Sequence, residues 1–390
     1  MMRNINVKYT FSCYRMVFLS LALMLLYQAC KDPYKIPLKA GAENVLIVEG
    51  YLNSTGQTTI KLSRSVEMIS QYNSAPELKA VLQIESENNQ TYPLIEEGAG
   101  LYSRILTNYP EDQKYRLKIQ TKDGLVYYSE YVDLKKTPPI QDVIWEKNED
   151  GVGIFVNTGD ADNRTRYYKW DWEETWRFET DLKPTITLLG KSDFQSIDSL
   201  PSYPFHGNCW QSEKSNDILI ASTEKLTDDV VSKRPLAFIP NGSWKMGVHY
   251  SINVKQHAIS KDSYAYWENI RKNSSDLGGI ASPMPSEIIG NMYCASDENQ
   301  KVIGFFDASS GVEKRIFIKR SDLVTWSYRD NCALRTIPNN PDSLYFFIYL
   351  SGNYLVDVLD VSESRLSFAS PRCVDCSVRG TPVKPSYWPD

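Results

Sequence analysis

Residues 167–178, Tyr-Tyr-Lys-Trp-Asp-Trp-Glu-Glu-Thr-Trp-Arg-Phe, constrain the fold more tightly than any other stretch. Tyr168, Trp170, Trp172, Trp176 and Phe178 share one parity, and Lys169, Asp171, Glu173 and Arg177 share the other. Side chains alternate between the two faces of a strand, so this period of two sets rings on one side and charges on the other. Such regularity marks a core-facing stripe with its charges in water, rather than an open platform on which a sugar could stack. Glu174 is the one exception on the aromatic face. Glu173 and Glu174 point to opposite faces and so cannot flank one glycosidic bond as paired carboxylates.

Short β-branched or alternating runs also cover 45–52, 58–62, 80–85, 101–106, 115–120 and 126–132, separated by turn residues such as Asn88-Asn89 and Asp123-Gly124. Asp-Gly is a hairpin signal, and this strand density predicts an immunoglobulin-like β-sandwich over 44–135. Pro138 and Pro139 then interrupt the pattern, which places a domain boundary there. A second sandwich is expected over 140–259, with an irregular insertion at about 181–215. The spacing of Tyr264, Trp267 and Ile270, with Asp262 in the first turn and Arg271 and Lys272 in the last, predicts one helix over 260–272. The remainder of 260–390 reads as a β-rich, aromatic-rich and proline-rich extension. The fold class is therefore mainly β: two immunoglobulin/fibronectin-III-like sandwiches, one short helix and a disulfide-pinned C-terminal extension.

The N-terminus sets location. Residues 16–26 (MVFLSLALMLL) are apolar and preceded by Arg3, Lys8 and Arg15 with no acid, the pattern of a secretory signal peptide over 1–29. Eleven residues are too few for a helix to cross a bilayer core of about 30 Å. Removing residues 1–29 leaves 40 Lys/Arg against 48 Asp/Glu, and no dense basic face remains for nucleic acid. Residues 30–43, punctuated by Pro33 and Pro37, read as an extended tether.

Of the seven cysteines, Cys13 leaves with the signal peptide. In an oxidising compartment Cys209, Cys332, Cys373 and Cys376 are expected to form two disulfides. Cys294 ends the largely apolar run 288–294 and is expected to stay free and buried. The Cys373-Val374-Asp375-Cys376 spacing lacks both the βαβ surroundings of a redox pair and the second close pair of a zinc site.

Catalytic chemistry finds no local support. Asp160, Asp162 and Asn163 lack the glycine and glutamate of an EF-hand loop, and read as a polar turn. His206, His249 and His257 have no zinc spacing, and neither a nucleophile elbow nor a P-loop occurs. No catalytic residue, cofactor or metal is expected. Trp210, Trp244 and Trp326, outside the alternating strand, are candidate ligand contacts because Trp is enriched at binding hot spots.

The stretch Leu25-Leu26-Tyr27-Gln28-Ala29-Cys30 resembles the lipobox at which bacterial lipoproteins are cleaved and acylated, which makes Cys30 the lipid anchor. Lys31-Asp32 after it resembles the short signal that carries lipoproteins of one phylum to the cell surface. Cys30 with Asp32-Pro33-Tyr34, residues 46–52, 167–170, 264–267, Gly290-Asn291-Met292 with 303–306, and Cys373 to Cys376 together resemble a family of uncharacterised outer-membrane lipoproteins of Bacteroidota. Its members are typically encoded beside TonB-dependent receptors. The resemblance implies a surface-exposed, non-enzymatic partner of such a transporter, accessory to it or binding its cargo. The alternatives are a structural or adhesion lipoprotein without a transporter, and a surface hydrolase whose site is assembled from distant loops. Replacing Cys30 by serine is expected to move the protein from the membrane pellet to the soluble fraction, read by fractionation and immunoblot; retention in the pellet would refute the anchor.

Overall fold

Around the aromatic strand, a computed structural model describes residues 44–66, 74–106, 109–200, 205–275, 290–328, 330–360 and 364–389. The signal peptide, Cys30, Lys31, Asp32, the tether to residue 43 and the start of the 288–294 run lie outside them. Tyr167–Glu179 pairs antiparallel with His249–Ala258 along one edge, and with Asn208–Lys214 and Leu219–Ser222 along the other. Gly311–Lys319 adds a further strand beside His249–Ala258. A three-stranded sheet of Ile140–Lys147, Gly151–Asp160 and Asp229–Pro240 faces it. Tyr168, Trp170, Trp176 and Phe178 are buried between the sheets against Val152, Ile154 and Val156. Each such ring removed from water stabilises the fold by roughly 1.5–3 kcal/mol. Glu174 points inward with them and is only 2% exposed. The Tyr250 hydroxyl donates to its Oε2 at 2.8 Å and Lys245 pairs with Oε1, so the one acid on the aromatic face is neutralised inside.

In the N-terminal sandwich, Leu46–Asn53, Gln57–Ser65 and Leu101–Ile105 form one sheet, and Val81–Ser86, Lys114–Gln120 and Val126–Ser129 form the other. Leu46, Val48, Ile60 and Leu62 meet Leu82, Ile84, Leu117 and Ile119 in its core. Gly124, at φ 89°, makes the tight turn that the Asp-Gly pair predicts.

The region beyond residue 260 is shared out differently from the single extension expected. Met292–Cys294 pairs with Val126–Ser129, and Val302–Gly304 lies parallel to Leu46–Asn53. Ala308–Ser309 runs parallel to both Leu46–Asn53 and Val132–Lys135, joining the two sheets of the N-terminal sandwich. Gly311–Lys319 belongs to the second sandwich. Parallel partners lie far apart in sequence and share no turn, so no local signal announces them. Gly290 and Gly304 permit the close return: a Cβ on Gly290 would lie 1.7 Å from the Gly304 carbonyl oxygen, and one on Gly304 would lie 2.6 Å from that of Val48.

The 181–215 insertion also divides. Asn208–Lys214 is a regular strand beside the aromatic one, whereas the hairpin of Ile186–Leu189 and Asp193–Ser196 packs with a small C-terminal sheet of Arg335–Pro338, Tyr354–Asp360 and Arg365–Ala369. Ile186, Ile337, Leu344, Ile348, Leu355, Leu366 and Phe368 form the core of this third body.

The two sandwiches are clamped together. Thr137 Oγ1 accepts the Ala258 N–H at 2.9 Å, while the Thr137 N–H donates to Ser310 Oγ at 2.8 Å. Buried Gln256 accepts from Trp170 Nε1 at 2.8 Å and donates to the Pro138 carbonyl and Thr158 Oγ1. The Tyr51 ring of the first sandwich stacks on His257 of the second, with centroids 4.2 Å apart and planes 11° from parallel. The helix Lys261–Ser275 begins beside this junction, its Ser263 N–H donating to Ser260 Oγ at 3.0 Å.

Asp307, 5% exposed, reaches that helix start from the returning strand region. Burial pushes its carboxyl up to about 6, against the partial pull of Ser263, Lys135 and Ser260 beside it. The folded state therefore favours the protonated form: this contribution is complete below the unfolded carboxyl value near 4 and is lost as pH rises through 6. The span corresponds to about 3 kcal/mol. Asp307→Asn is expected to raise the thermal midpoint at pH 7.5 and to lose that advantage below pH 5, as measured by scanning calorimetry at both values.

Candidate functional site: an aromatic tip on the third body

Leu344–Leu350 reads Leu-Tyr-Phe-Phe-Ile-Tyr-Leu, seven residues without a charge. The strand Arg335–Pro338 stops at its proline, and Asn340 Oδ1 then caps a turn by accepting the Ser343 N–H at 2.8 Å, with Pro341 at the first position. The chain continues as a wide turn of π type, a geometry that recurs at functional sites. Its end is closed by Ser351 Oγ donating to the Phe346 carbonyl and Asn353 Nδ2 donating to that of Phe347, both at 2.8 Å. Gly352 supplies the left-handed exit at φ 65°.

Only Leu344 and Ile348, four residues apart, turn into the core of the third body. Tyr345, Phe346, Phe347, Tyr349 and Leu350 stay exposed, Phe346 to 59%. Tyr345 and Tyr349 stack at 5.6 Å and 16°, Phe346 meets Phe347 edge-on at 5.2 Å, and Lys191 Nζ lies 5.4 Å from the Tyr349 ring centre. Exposed apolar residues scattered singly need no explanation, but five within six residues form a patch of the kind that marks interaction surfaces.

The mount is rigid. Cys209–Cys376 ties the third body's neighbourhood to the aromatic sheet, and Cys332–Cys373 closes a second bridge, with Cα separations of 5.6 and 5.7 Å. These are the four cysteines the sequence singled out; Cys294 is free and buried. The three candidate tryptophans are placed otherwise. Trp326 is 1% exposed in the core and donates to the Ser243 carbonyl at 3.1 Å. Trp244 packs edge-on against Trp176 and Phe178, and Trp210 lies beneath Trp388 with its backbone paired to Thr381. Trp326 and Trp210 are buried, whereas Trp244 is only partly buried: a large ring serves a core as well as an interface.

Asp160 closes the polar turn expected of it, its carboxylate accepting the N–H groups of Asp162, Arg164 and Thr165 at 2.9–3.0 Å. Burial raises this carboxyl, but those donors hold it below the usual range. Among the described residues no group of three or more His, Cys, Asp or Glu side chains could hold a metal ion. The signal for the tip was present in sequence as the uncharged run after Asn339-Asn340-Pro341, but neither alternation nor helical spacing says which side of such a run is exposed.

The family described as "Domain of unknown function (DUF4249)" matches residues 31–315. The chain belongs to this family. The DUF4249 match includes the 186–196 hairpin of the third body but ends before its C-terminal sheet, so the tip stands outside the matched segment. No curated protein matches. Similar solved structures include the chicken CNTN1 FN1–FN3 domains, at 11% identity and a TM-score of 0.18 over 55% of this chain and 63% of that one. Another is the chicken interferon gamma receptor alpha chain, at 10% identity and 0.14 over 56% and 91%. At these scores neither likeness bears on the fold, which rests on the strand pairing.

Thiol titration of the unreduced mature protein in denaturant is expected to find one free thiol, that of Cys294. Removing the buried bridge as Cys209→Ser with Cys376→Ser is expected to cost about 2–5 kcal/mol in chemical unfolding, because it closes a long loop.

Proposed function

We propose that this DUF4249 protein is a surface-exposed, lipid-anchored outer-membrane protein without enzymatic activity, which docks on a TonB-dependent transporter and helps to capture or gate its cargo. The exposed aromatic tip on a disulfide-braced mount is the observation that carries the docking part of this reading. Rigid aromatic side chains give contact area at little entropic cost, and such residues dominate binding energy at interfaces. The lipid anchor at Cys30 and the surface signal at Lys31 and Asp32 rest on sequence alone, as does the association with a transporter.

The order of parts along the molecule suits this role. Leu46–Asn53 runs toward the junction, where Tyr51 meets His257 and the Gly311 N–H donates to Asn53 Oδ1. The aromatic strand starts at the junction, with Tyr168 opposite Ala258, and ends with Phe178 opposite Cys209 beside the third body. Thirteen residues at about 3.3 Å each carry the chain some 40 Å along that strand.

With a tag at Asp390, mild detergent extraction of the outer membrane is expected to recover a stoichiometric TonB-dependent barrel, identified by mass spectrometry. Phe346→Ser with Tyr349→Ser is expected to reduce that recovery at least about tenfold, as loss of one to two hot-spot rings would. A lone wild-type protein would instead favour the structural or adhesion reading.

A further inference from the structure

Where the helix Lys261–Ser275 begins, a recess of about 410 Å³ opens against the first sandwich, within the range of small-ligand sites. Three stretches line it: residues 130–135, the helix start from Ser260, and the returning segment at Asn291, Phe305 and Asp307. Asp307 is 5% exposed, and its Oδ2 has no hydrogen-bond partner in the protein. Its backbone carbonyl is turned the other way, accepting the Leu52 N–H at 2.9 Å. The carboxyl lies beside Ser260 and Lys135, which themselves line the recess, so the side chain forms the wall there. A buried carboxylate oxygen left unpaired is costly, and its retention at a cavity wall calls for a group that supplies the bond.

The charge of the recess selects the sign of that group. Four carboxylates line it, those of Glu130, Asp133, Asp262 and Asp307, against the single ammonium of Lys135. Asp133 is offset by Lys114 at 3.9 Å, whereas Glu130 and Asp262 make no ion pair among the described residues. The helix start contributes about half a positive charge, which leaves the balance negative. The rest of the wall is aromatic. Tyr266 is buried with its ring centre 5.5 Å from that of Phe305, and Tyr131 stands at the rim. Burial pushes the Tyr266 phenol up to about 12, so it adds no charge. Rings attract a cation through their faces and also take up an apolar body. A metal ion would need several carboxylates converging on one point, and among the described residues no such group of three exists.

We propose that this recess binds a small organic amine, its ammonium at Asp307 and its apolar body against Tyr266 and Phe305. This goes beyond the docking reading and does not depend on it. Aromatic and aliphatic amines share this chemistry, and the test separates them. Titration calorimetry would be run at pH 7.5, where Asp307 is ionised, on the intact mature protein with 2-phenylethylamine and cadaverine. Each is paired with its uncharged counterpart, 2-phenylethanol or 1,5-pentanediol, and calcium chloride is titrated alone. One amine is expected to bind with a Kd between about 10 µM and 1 mM, at least about tenfold tighter than its counterpart. Asp307→Asn, which keeps the side chain's shape, is expected to weaken that binding at least about tenfold. Asp262→Lys, at an exposed helix position, is expected to weaken it at least about threefold. Glu149→Gln, on the turn between Ile140–Lys147 and Gly151–Asp160, is expected to leave it unchanged. A purely structural Asp307 would alter stability and leave amine affinity as it was. No binding of either amine at about 5 mM, an alcohol binding as well as its amine, calcium binding more tightly than both amines, or unchanged affinity in Asp307→Asn or Asp262→Lys would each overturn the assignment. These variants leave Phe346 and Tyr349 untouched, so this result stands apart from that of the docking experiment.

Discussion

The stacked pair of Tyr51 and His257, with the hydrogen bonds of Thr137 and Gln256 around it, turns two sandwiches into one frame. Independent sandwiches joined by a proline linker would be free to swing, because inter-domain contacts within a chain are usually small and polar. Here the linker is held from both sides, and the chain crosses the junction again at Ser310, whose N–H donates to the Lys135 carbonyl at 2.9 Å. The buried groups in this clamp are neutral and largely paired, which makes it stable without the cost of burying unpaired charge. The helix Lys261–Ser275 starts beside this contact.

Charge inside the second sandwich follows the same economy of pairing. Glu174 is tolerated among tryptophans because Tyr250 and Lys245 meet both of its oxygens. Burial raises this carboxyl, and the two partners oppose that rise. At Asp307 burial likewise outweighs the groups beside it, and the acid sits where a change of pH near 6 alters its charge. Lys245 pairs directly with Glu174, whereas Lys135 pulls only partly on Asp307.

The C-terminal region gives the molecule its outward-facing chemistry. Its core is small, and the bridges Cys209–Cys376 and Cys332–Cys373 supplement what a few buried side chains provide. With two inward residues in a turn of seven, the body spends little apolar surface on itself and leaves most of it facing out.

Local pattern was enough for part of this protein. Period two in residues 167–178 gave the central strand and its buried face, Asp123-Gly124 gave a hairpin, and the spacing of Tyr264, Trp267 and Ile270 gave the helix. Each of these signals is carried by residues that touch their neighbours in sequence. The return of residues 292–309 into the first sandwich, the pairing of the cysteines, the burial of Trp210 and Trp326, and the exposure of Phe346 were settled only in three dimensions. The reason is physical: a residue's type fixes what it can do in a core or at an interface, but which of the two it meets depends on partners hundreds of residues away. Composition therefore determined a β-rich chain with a buried aromatic strand, and tertiary packing decided which of its rings were left facing solvent.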